Sequence, residues 1–151
     1  MKKLLISLCM VIFAVPLHAA TCEQAAQELN RALAAKIDEK ELAEALNYLN
    51  KSRNSSLPPR FVAKREAQAA GWRPGRDIWS VPGLNGKSIG GDRFGNREGR
   101  LPGAARRSWK EADLDYKGGK RNAKRLLFSN DGIRMVTVDH YKTFREVPSC
   151  R

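Results

Sequence analysis

Two stretches of the C-terminal half carry side chains able to move a proton. In Val138 to Phe144, VDHYKTF, His140 stands between Asp139 and Tyr141 and is one of two histidines among 151 residues. The other, His18, lies in a stretch read below as a removable leader. A lone histidine is either a satisfied packing residue or the one group that passes a proton near pH 7. In Arg107 to Leu114, RSWKEADL, the period of two of a β-strand sets Trp109, Glu111 and Asp113 on one face and Lys110, Ala112 and Leu114 on the other. In Lys124 to Phe128 the same period turns Arg125 away from Leu126 and Phe128, which belong in a core. Two carboxylates on one strand with an arginine on a neighbour form either a structural ion-pair row or an anion site with a built-in base. The pattern alone does not choose between them.

The charge of the chain narrows what such a site meets. The formal net charge is +12, and setting aside Lys2 and Lys3 leaves +10. A chain this basic attracts polyanions, and nucleic acid, an anionic membrane surface and acidic polysaccharide all satisfy that condition. Clusters such as Arg97, Arg100, Arg106, Arg107 and Arg121, Arg125 lean toward phosphate, whose oxygens the planar guanidinium binds two at a time.

The leader is the N-terminus itself. Lys2 and Lys3 precede the apolar run Leu4 to Pro16, and the small residues Ala19 and Ala20 follow, the pattern of a secretory signal peptide over residues 1–19. The run is too short to span a bilayer, so no membrane contact is expected after cleavage, and the protein is expected to be secreted or periplasmic. Cys9 leaves with the leader. Of the three cysteines, Cys22 and Cys150 remain, one near each end, and an oxidising compartment favours a disulfide between them. The alternative, lipid attachment at Cys22, fits poorly because Thr21 is bulkier than the usual preceding residue.

The elements that must position these side chains follow from periodicity. Cys22 to Ser52 is helical in pattern, with Leu29, Leu33, Ile37 and then Leu42, Leu46, Leu49 at spacings of three to five, and two helices meeting near Asp38 and Glu39. Pro58 and Pro59 break the pattern. A short helix over Ala63 to Ala70 is stopped by Gly71. Strand-like stretches follow at Ser88 to Arg93, Arg107 to Leu114, Lys124 to Ser129, Ile133 to Val138 and Thr143 to Val147, and the turn Asn130-Asp131-Gly132 joins the third and fourth as a hairpin. Helices first and strands afterwards read as one α+β domain with an antiparallel sheet.

Several segments, taken together and in order, carry a resemblance. They are Lys64 to Trp72 (KREAQAAGW), Gly86 to Asp92 (GKSIGGD), Asn96 to Gly103 (NREGRLPG), Trp109 to Asp113 (WKEAD) and Asp139 to Phe144 (DHYKTF). The chain from about Leu42 to Val147 resembles the small secreted guanyl-preferring microbial ribonucleases of the barnase type. The stretch Cys22 to Lys40 is not covered and looks like an added N-terminal helical segment, residues 20–40, before a ribonuclease domain at 41–151.

The resemblance implies N-terminal helices packed on a five-stranded antiparallel sheet. It implies cleavage of single-stranded RNA after guanosine without metal or cofactor: the ribose 2′-OH attacks its own phosphate, and water later opens the 2′,3′-cyclic phosphate. By position Glu111 matches the base and His140 the acid, with the roles exchanged in the hydrolytic step. Lys64 matches the lysine that steadies the pentacoordinate phosphate, and Arg121 and Arg125 match the phosphate-binding arginines, both in reach of Asp113. Phe94, Asn96, Arg97 and Glu98 match the guanine loop, and Tyr141 a residue lining the phosphate and base pocket. Departures are Gly95, where the barnase type carries a serine, and Lys120, which replaces an aromatic. A monomer, and a barstar-like acidic inhibitor in the cytosol of the producing cell, are further implied. The rival from another class is a non-catalytic basic module that binds RNA or an anionic surface with the same fold.

Overall fold

The computed structural model describes residues 19–151. The expected leader, residues 1–19, therefore falls almost wholly outside the described residues. Helix α1 spans Cys22–Ala32 and begins with a capping box, in which Thr21 Oγ1 accepts from the Gln24 N–H while the Gln24 side chain accepts from the Thr21 N–H. It ends earlier than its apolar spacing suggests. Lys36 Nζ donates to the carbonyls of Asn30 and Leu33, and the Asn30 side chain both donates to the Ile37 carbonyl at 2.9 Å and accepts from its N–H at 3.0 Å. Those bonds replace helical ones and make Leu33 to Asp38 an ordered connection. Asp38 then caps α2, Glu39–Ser52, through the N–H groups of Lys40 and Glu41.

After Pro58 and Pro59 come a two-residue strand β1, Phe61–Val62, the helix α3, Lys64–Ala69, and a short 3₁₀ turn, Ile78–Ser80. The strands β2 (Ser88–Phe94), β3 (Trp109–Asp113), β4 (Arg125–Ser129), β5 (Arg134–Thr137) and β6 (Arg145–Glu146) pair in sequence order, each antiparallel to the next. The expected five-stranded antiparallel sheet thus stands, with β1 added as a sixth, parallel edge strand on β2. So short a strand, just behind two prolines, leaves no periodicity to read. The last strand is shorter than the stretch Thr143 to Val147 because Asp139 and Thr143 are drawn into a turn described below.

The sheet has two differently covered faces. Ala112, Leu114, Leu126, Phe128 and Val136 pack beneath α1 and α2 against Leu29, Leu42, Leu46 and Leu49. On the opposite face Leu127 and Trp109 join Leu101, Phe94, Tyr141 and Phe144 in a smaller cluster that floors a cleft. Each side chain of leucine size buried in such a core contributes roughly 1.5–3 kcal/mol.

Cys22 and Cys150, 128 positions apart in the sequence, are joined in a disulfide with Cα atoms 4.9 Å apart. Asn50 Nδ2 donates to the Cys150 carbonyl at 3.1 Å and sits 3.3 Å from Cys22 Sγ, and its Oδ1 accepts from Arg134, so α1, α2, β5 and the chain end meet at one point. Replacing both cysteines with alanine removes a cross-link over a loop of that length, which the chain-entropy model values at about 5 kcal/mol. The expected outcome is a lower urea midpoint for the double variant and the same loss for the parent under reducing conditions. An unchanged midpoint in both would contradict it.

Candidate active site

Glu111 is the centre of the expected catalytic set. It sits in mid-strand on β3 and is only 6% exposed. One carboxylate oxygen, Oε1, lies 2.8 Å from Lys64 Nζ, and the other accepts from the Tyr141 hydroxyl at 2.6 Å. Burial pushes its carboxyl up. The hydrogen bonds from Lys64 and Tyr141, with the charges of Lys64 and Arg121, more than offset that and hold it below its ordinary value. Tyr141 responds in the opposite sense: burial and its bond to the carboxylate push the phenol up to about 12.

Lys64 reaches Glu111 because of how α3 begins. Its own N–H donates to both oxygens of Asp92, at 2.9 and 3.2 Å, so Asp92 anchors the first turn of the helix. Asp92 in turn owes its direction to Gly91, at φ +95°, where the register of β2 against β3 slips so that Gly90 pairs with Ala112 and Asp92 with Glu111. Such a bulge re-aims a side chain and favours glycine at its left-handed residue. Gly90 has a separate reason, since a Cβ there would meet Phe61 Cδ1 at 2.6 Å. Asp92 was not singled out from the sequence, although the pair of glycines before it is the signature of a bulge.

Removing Lys64 isolates its share of this balance. In a Lys64→Met variant the carboxyl of Glu111 is expected to titrate at higher pH, read by carbon-13 NMR of the labelled side chain. The folded-state value is depressed, so the stability it contributes is present above the ordinary carboxylate range and lost as pH falls through the depressed value. That window narrows in the variant. An unmoved titration would show that Lys64 does not govern it.

Beside Glu111 on the same face, Asp113 is 1% exposed and holds two guanidinium groups. Arg121 approaches it in a fork, Nε to Oδ2 at 2.5 Å and one terminal nitrogen to Oδ1 at 2.7 Å, and this pairing raises the pKa of Arg121 further. Arg125 Nε is 2.9 Å from Oδ1 but off the line of a hydrogen bond, and its terminal nitrogen donates to the Lys124 carbonyl at 2.6 Å. The two arginines differ in access. The Arg121 side chain is 23% exposed, whereas that of Arg125 is 3% exposed, beneath the ring of Tyr141 at 6.0 Å from its centroid.

His140 is exposed on the turn after β5, its ring centroid 5.1 Å from that of Tyr141. It and Tyr141 both adopt left-handed backbone, φ +57° and +68°, which costs a non-glycine residue roughly 1–2 kcal/mol each. The surroundings hold them there. Asp139 Oδ1 accepts from the Thr137 hydroxyl and the N–H groups of Lys142 and Thr143, and Oδ2 accepts from the Thr143 hydroxyl at 2.6 Å. Burial works against the charge of Asp139, but these bonds prevail and bring its carboxyl down to about 2. The N–H of Tyr141 donates to Thr137 Oγ1, and that of His140 to the Ala123 carbonyl. Neither Asp139 nor Thr137 was assigned a role from the sequence. An aspartate four residues before a threonine is the pattern of a side-chain-capped turn.

The remaining expected residues gather on the other side of Tyr141. Phe94, Asn96, Arg97, Glu98 and Tyr141, with Arg93 and Phe144, line a cleft of about 620 Å³. Phe94 and Tyr141 stack at 5.2 Å on one of its walls. Asn96, at φ +43°, exchanges two 3.0 Å hydrogen bonds with the backbone of Leu101, so its amide closes the loop 96–101. The Glu98 carboxylate is exposed and pairs with Arg100 at 2.8 Å, while Arg100 also donates to the carbonyls of Tyr141 and Lys142 and ties this loop to the histidine turn. Tyr141 belongs to both sets: its hydroxyl bonds to Glu111 and its ring stacks on Phe94 in the wall of the cleft.

Residues 43–148 match a family model described as ribonuclease. The chain is 46% identical over 95 residues to a ribonuclease of Heyndrickxia coagulans, a match covering 63% of this chain and 86% of that one. Ribonucleases of Bacillus intermedius and Bacillus pumilus are likewise 46% identical over 95 residues, and the match spans 58% of each.

Proposed function

We propose, from the premise that this chain belongs to the ribonuclease family and is an RNA-cleaving enzyme, that it is an exported, metal-independent endoribonuclease that cuts single-stranded RNA after guanosine. The observation that carries the mechanism is the Glu111 carboxylate, held ionised between Lys64 and Tyr141, the latter of which also lines the neighbouring cleft. In the first step Glu111 takes the proton of the ribose 2′-OH. The 2′-oxygen bonds to phosphorus, the bond from phosphorus to the 5′-oxygen breaks, and His140 supplies a proton to that leaving oxygen. In the second step the roles reverse: His140 takes a proton from water, the water oxygen opens the cyclic phosphate, and Glu111 returns a proton to the 2′-oxygen.

Charge on the phosphate grows in the transition state, and preorganised cations lower the barrier most there. Lys64 and Arg121 are the two that reach it, and Arg125 adds its charge from beneath Tyr141. In the cleft, Glu98 accepts from guanine N1–H and N2–H, and backbone N–H groups of the loop 94–98 reach O6. Adenine offers neither pattern. Phe94 and Tyr141 flank the ring, Arg97 adds a cation at the rim, and Asn96 acts by fixing the loop. Residues 41–151 form the ribonuclease domain in this reading and residues 20–40 an added segment. The leader read from the sequence supports export; a monomer and a barstar-like acidic inhibitor that would protect the producing cell belong to the same reading.

Product mapping on a defined oligoribonucleotide in EDTA tests all of this. Expected are cuts after guanosine, cyclic phosphate ends that later open, and no cleavage of the matching DNA, which lacks the 2′-OH. A requirement for Mg²⁺, or equal activity on DNA, would overturn the mechanism, and cuts without base preference would overturn the specificity alone.

A further inference from the structure

Asp115 joins the N-terminal segment to the turn that carries Arg121. It lies two residues past the end of β3, in left-handed backbone at φ +56°, a conformation that aspartate and asparagine tolerate better than most residues. All four of its polar atoms are engaged. Its N–H donates to Glu41 Oε1 at 2.9 Å, and its carbonyl accepts from Asn122 Nδ2 at 3.0 Å. Oδ1 accepts from the Asp38 N–H at 2.8 Å, and Oδ2 meets Lys124 Nζ at 2.6 Å. Lys124 Nζ also donates to the Lys36 carbonyl at 2.6 Å, and Lys117 Nζ lies 3.8 Å from Asp38 Oδ2.

Lys36, Asp38 and Glu41 precede residue 43, where the family match begins. The turn between β3 and β4, residues 114–124, is therefore fastened at both of its ends to the connection between α1 and α2. Within the turn the Tyr116 hydroxyl lies 2.8 Å from the Gly119 carbonyl and 2.7 Å from Asp77, which leaves the segment little freedom. Its functional cargo is Arg121, forked onto Asp113 two residues before Asp115.

We propose that Asp115 is a positioning residue, through which the N-terminal segment sets where the Arg121 guanidinium meets the phosphate. The inference rests on the reading of Arg121 as a phosphate ligand. A bidentate cation acts only within a narrow range of distance and angle, and a displacement of about an ångström far from the chemistry can cost up to a hundredfold in rate. The segment before residue 43 is then a brace for the phosphate side of the cleft, and the carboxylate of Asp115 is the joint.

A double-mutant cycle decides it. We would measure kcat and KM for the parent, Asp115→Ala, Arg121→Ala and the double variant on an oligoribonucleotide with a single guanosine. Asp115→Ala is expected to lower kcat/KM by about ten- to a hundredfold in the parent, and by little further once Arg121 is absent. Asp115→Asn, which keeps the turn and an acceptor for the Asp38 N–H, should recover most of the loss. Equal losses from Asp115→Ala in both backgrounds would mean a merely structural role and overturn the proposal. So would a fully active Asp115→Ala beside an impaired Arg121→Ala. A fully active Arg121→Ala would overturn the reading of Arg121 itself, and the brace with it. Should Asp115→Ala not fold, Asp115→Gly, which enters left-handed backbone freely, replaces it in the same cycle.

Discussion

Glu111→Gln slows RNA cleavage by about two to four orders of magnitude while RNA binding persists, the range lost with a positioned general base. Glutamine matches the shape of the side chain and still accepts from the Tyr141 hydroxyl, so the cleft keeps its form. It cannot take the proton of the 2′-OH. Lys64, whose side chain is 37% exposed, loses its partner but regains water, so the loss falls on kcat rather than on folding. The pH dependence carries the same signature. Because hydrogen bonds and charge hold the Glu111 carboxyl below its ordinary value, the acid limb of kcat/KM in the parent should fall below the usual carboxylate range. That limb should vanish from the residual activity of the variant. A Glu111→Gln enzyme within tenfold of the parent would remove Glu111 as the base.

The second large effect belongs to His140, and the leaving group separates its role from mere contact. His140→Asn is the informative substitution, because asparagine tolerates the left-handed backbone at this position and offers no proton near neutrality. On RNA the 5′-oxygen leaves as a poor alkoxide unless protonated, so the variant should lose about two to four orders of magnitude in kcat. On a guanosine 3′-(nitrophenyl phosphate), whose leaving group needs no proton, most of that loss should disappear. An exposed side chain without a hydrogen bond to its imidazole among the described residues leaves stability within roughly 0.5 kcal/mol. Equal losses on both substrates would place His140 outside the acid role.

Which parts of this were legible in the sequence follows from the range of the forces involved. The period of two is local, and it sorted Trp109, Glu111, Asp113 and Arg125 from Ala112, Leu114, Leu126 and Phe128 correctly, because one sheet face had to meet α1 and α2. Resemblance added the matching residues of α3 and of the loop 94–98; in the structure Lys64 pairs with Glu111, and the loop lines a cleft that it shares with Tyr141. The positioning residues stayed hidden for a different reason. Asp92 faces Glu111 only because the register slips at Gly91, and Asp139 matters through a turn that shortens the expected last strand. The gap between α1 and α2 likewise arose from the side chains of Asn30 and Lys36, which no apolar spacing records. The depth of Arg125 beneath Tyr141 is a tertiary fact of the same kind.

The bond between Cys22 and Cys150 makes nearly the whole folded chain a covalent ring. A protease that cuts such a ring once opens it without dividing it. The exposed stretch Arg73 to Arg76 lies inside the ring, and exposed turns of this kind are where nicking concentrates. After one cut the two pieces remain tethered at high effective concentration, so reassociation is independent of dilution. In surroundings rich in proteases, a single nick would leave one molecule with its cleft residues still joined, and a second cut or a reductant would be needed to scatter them.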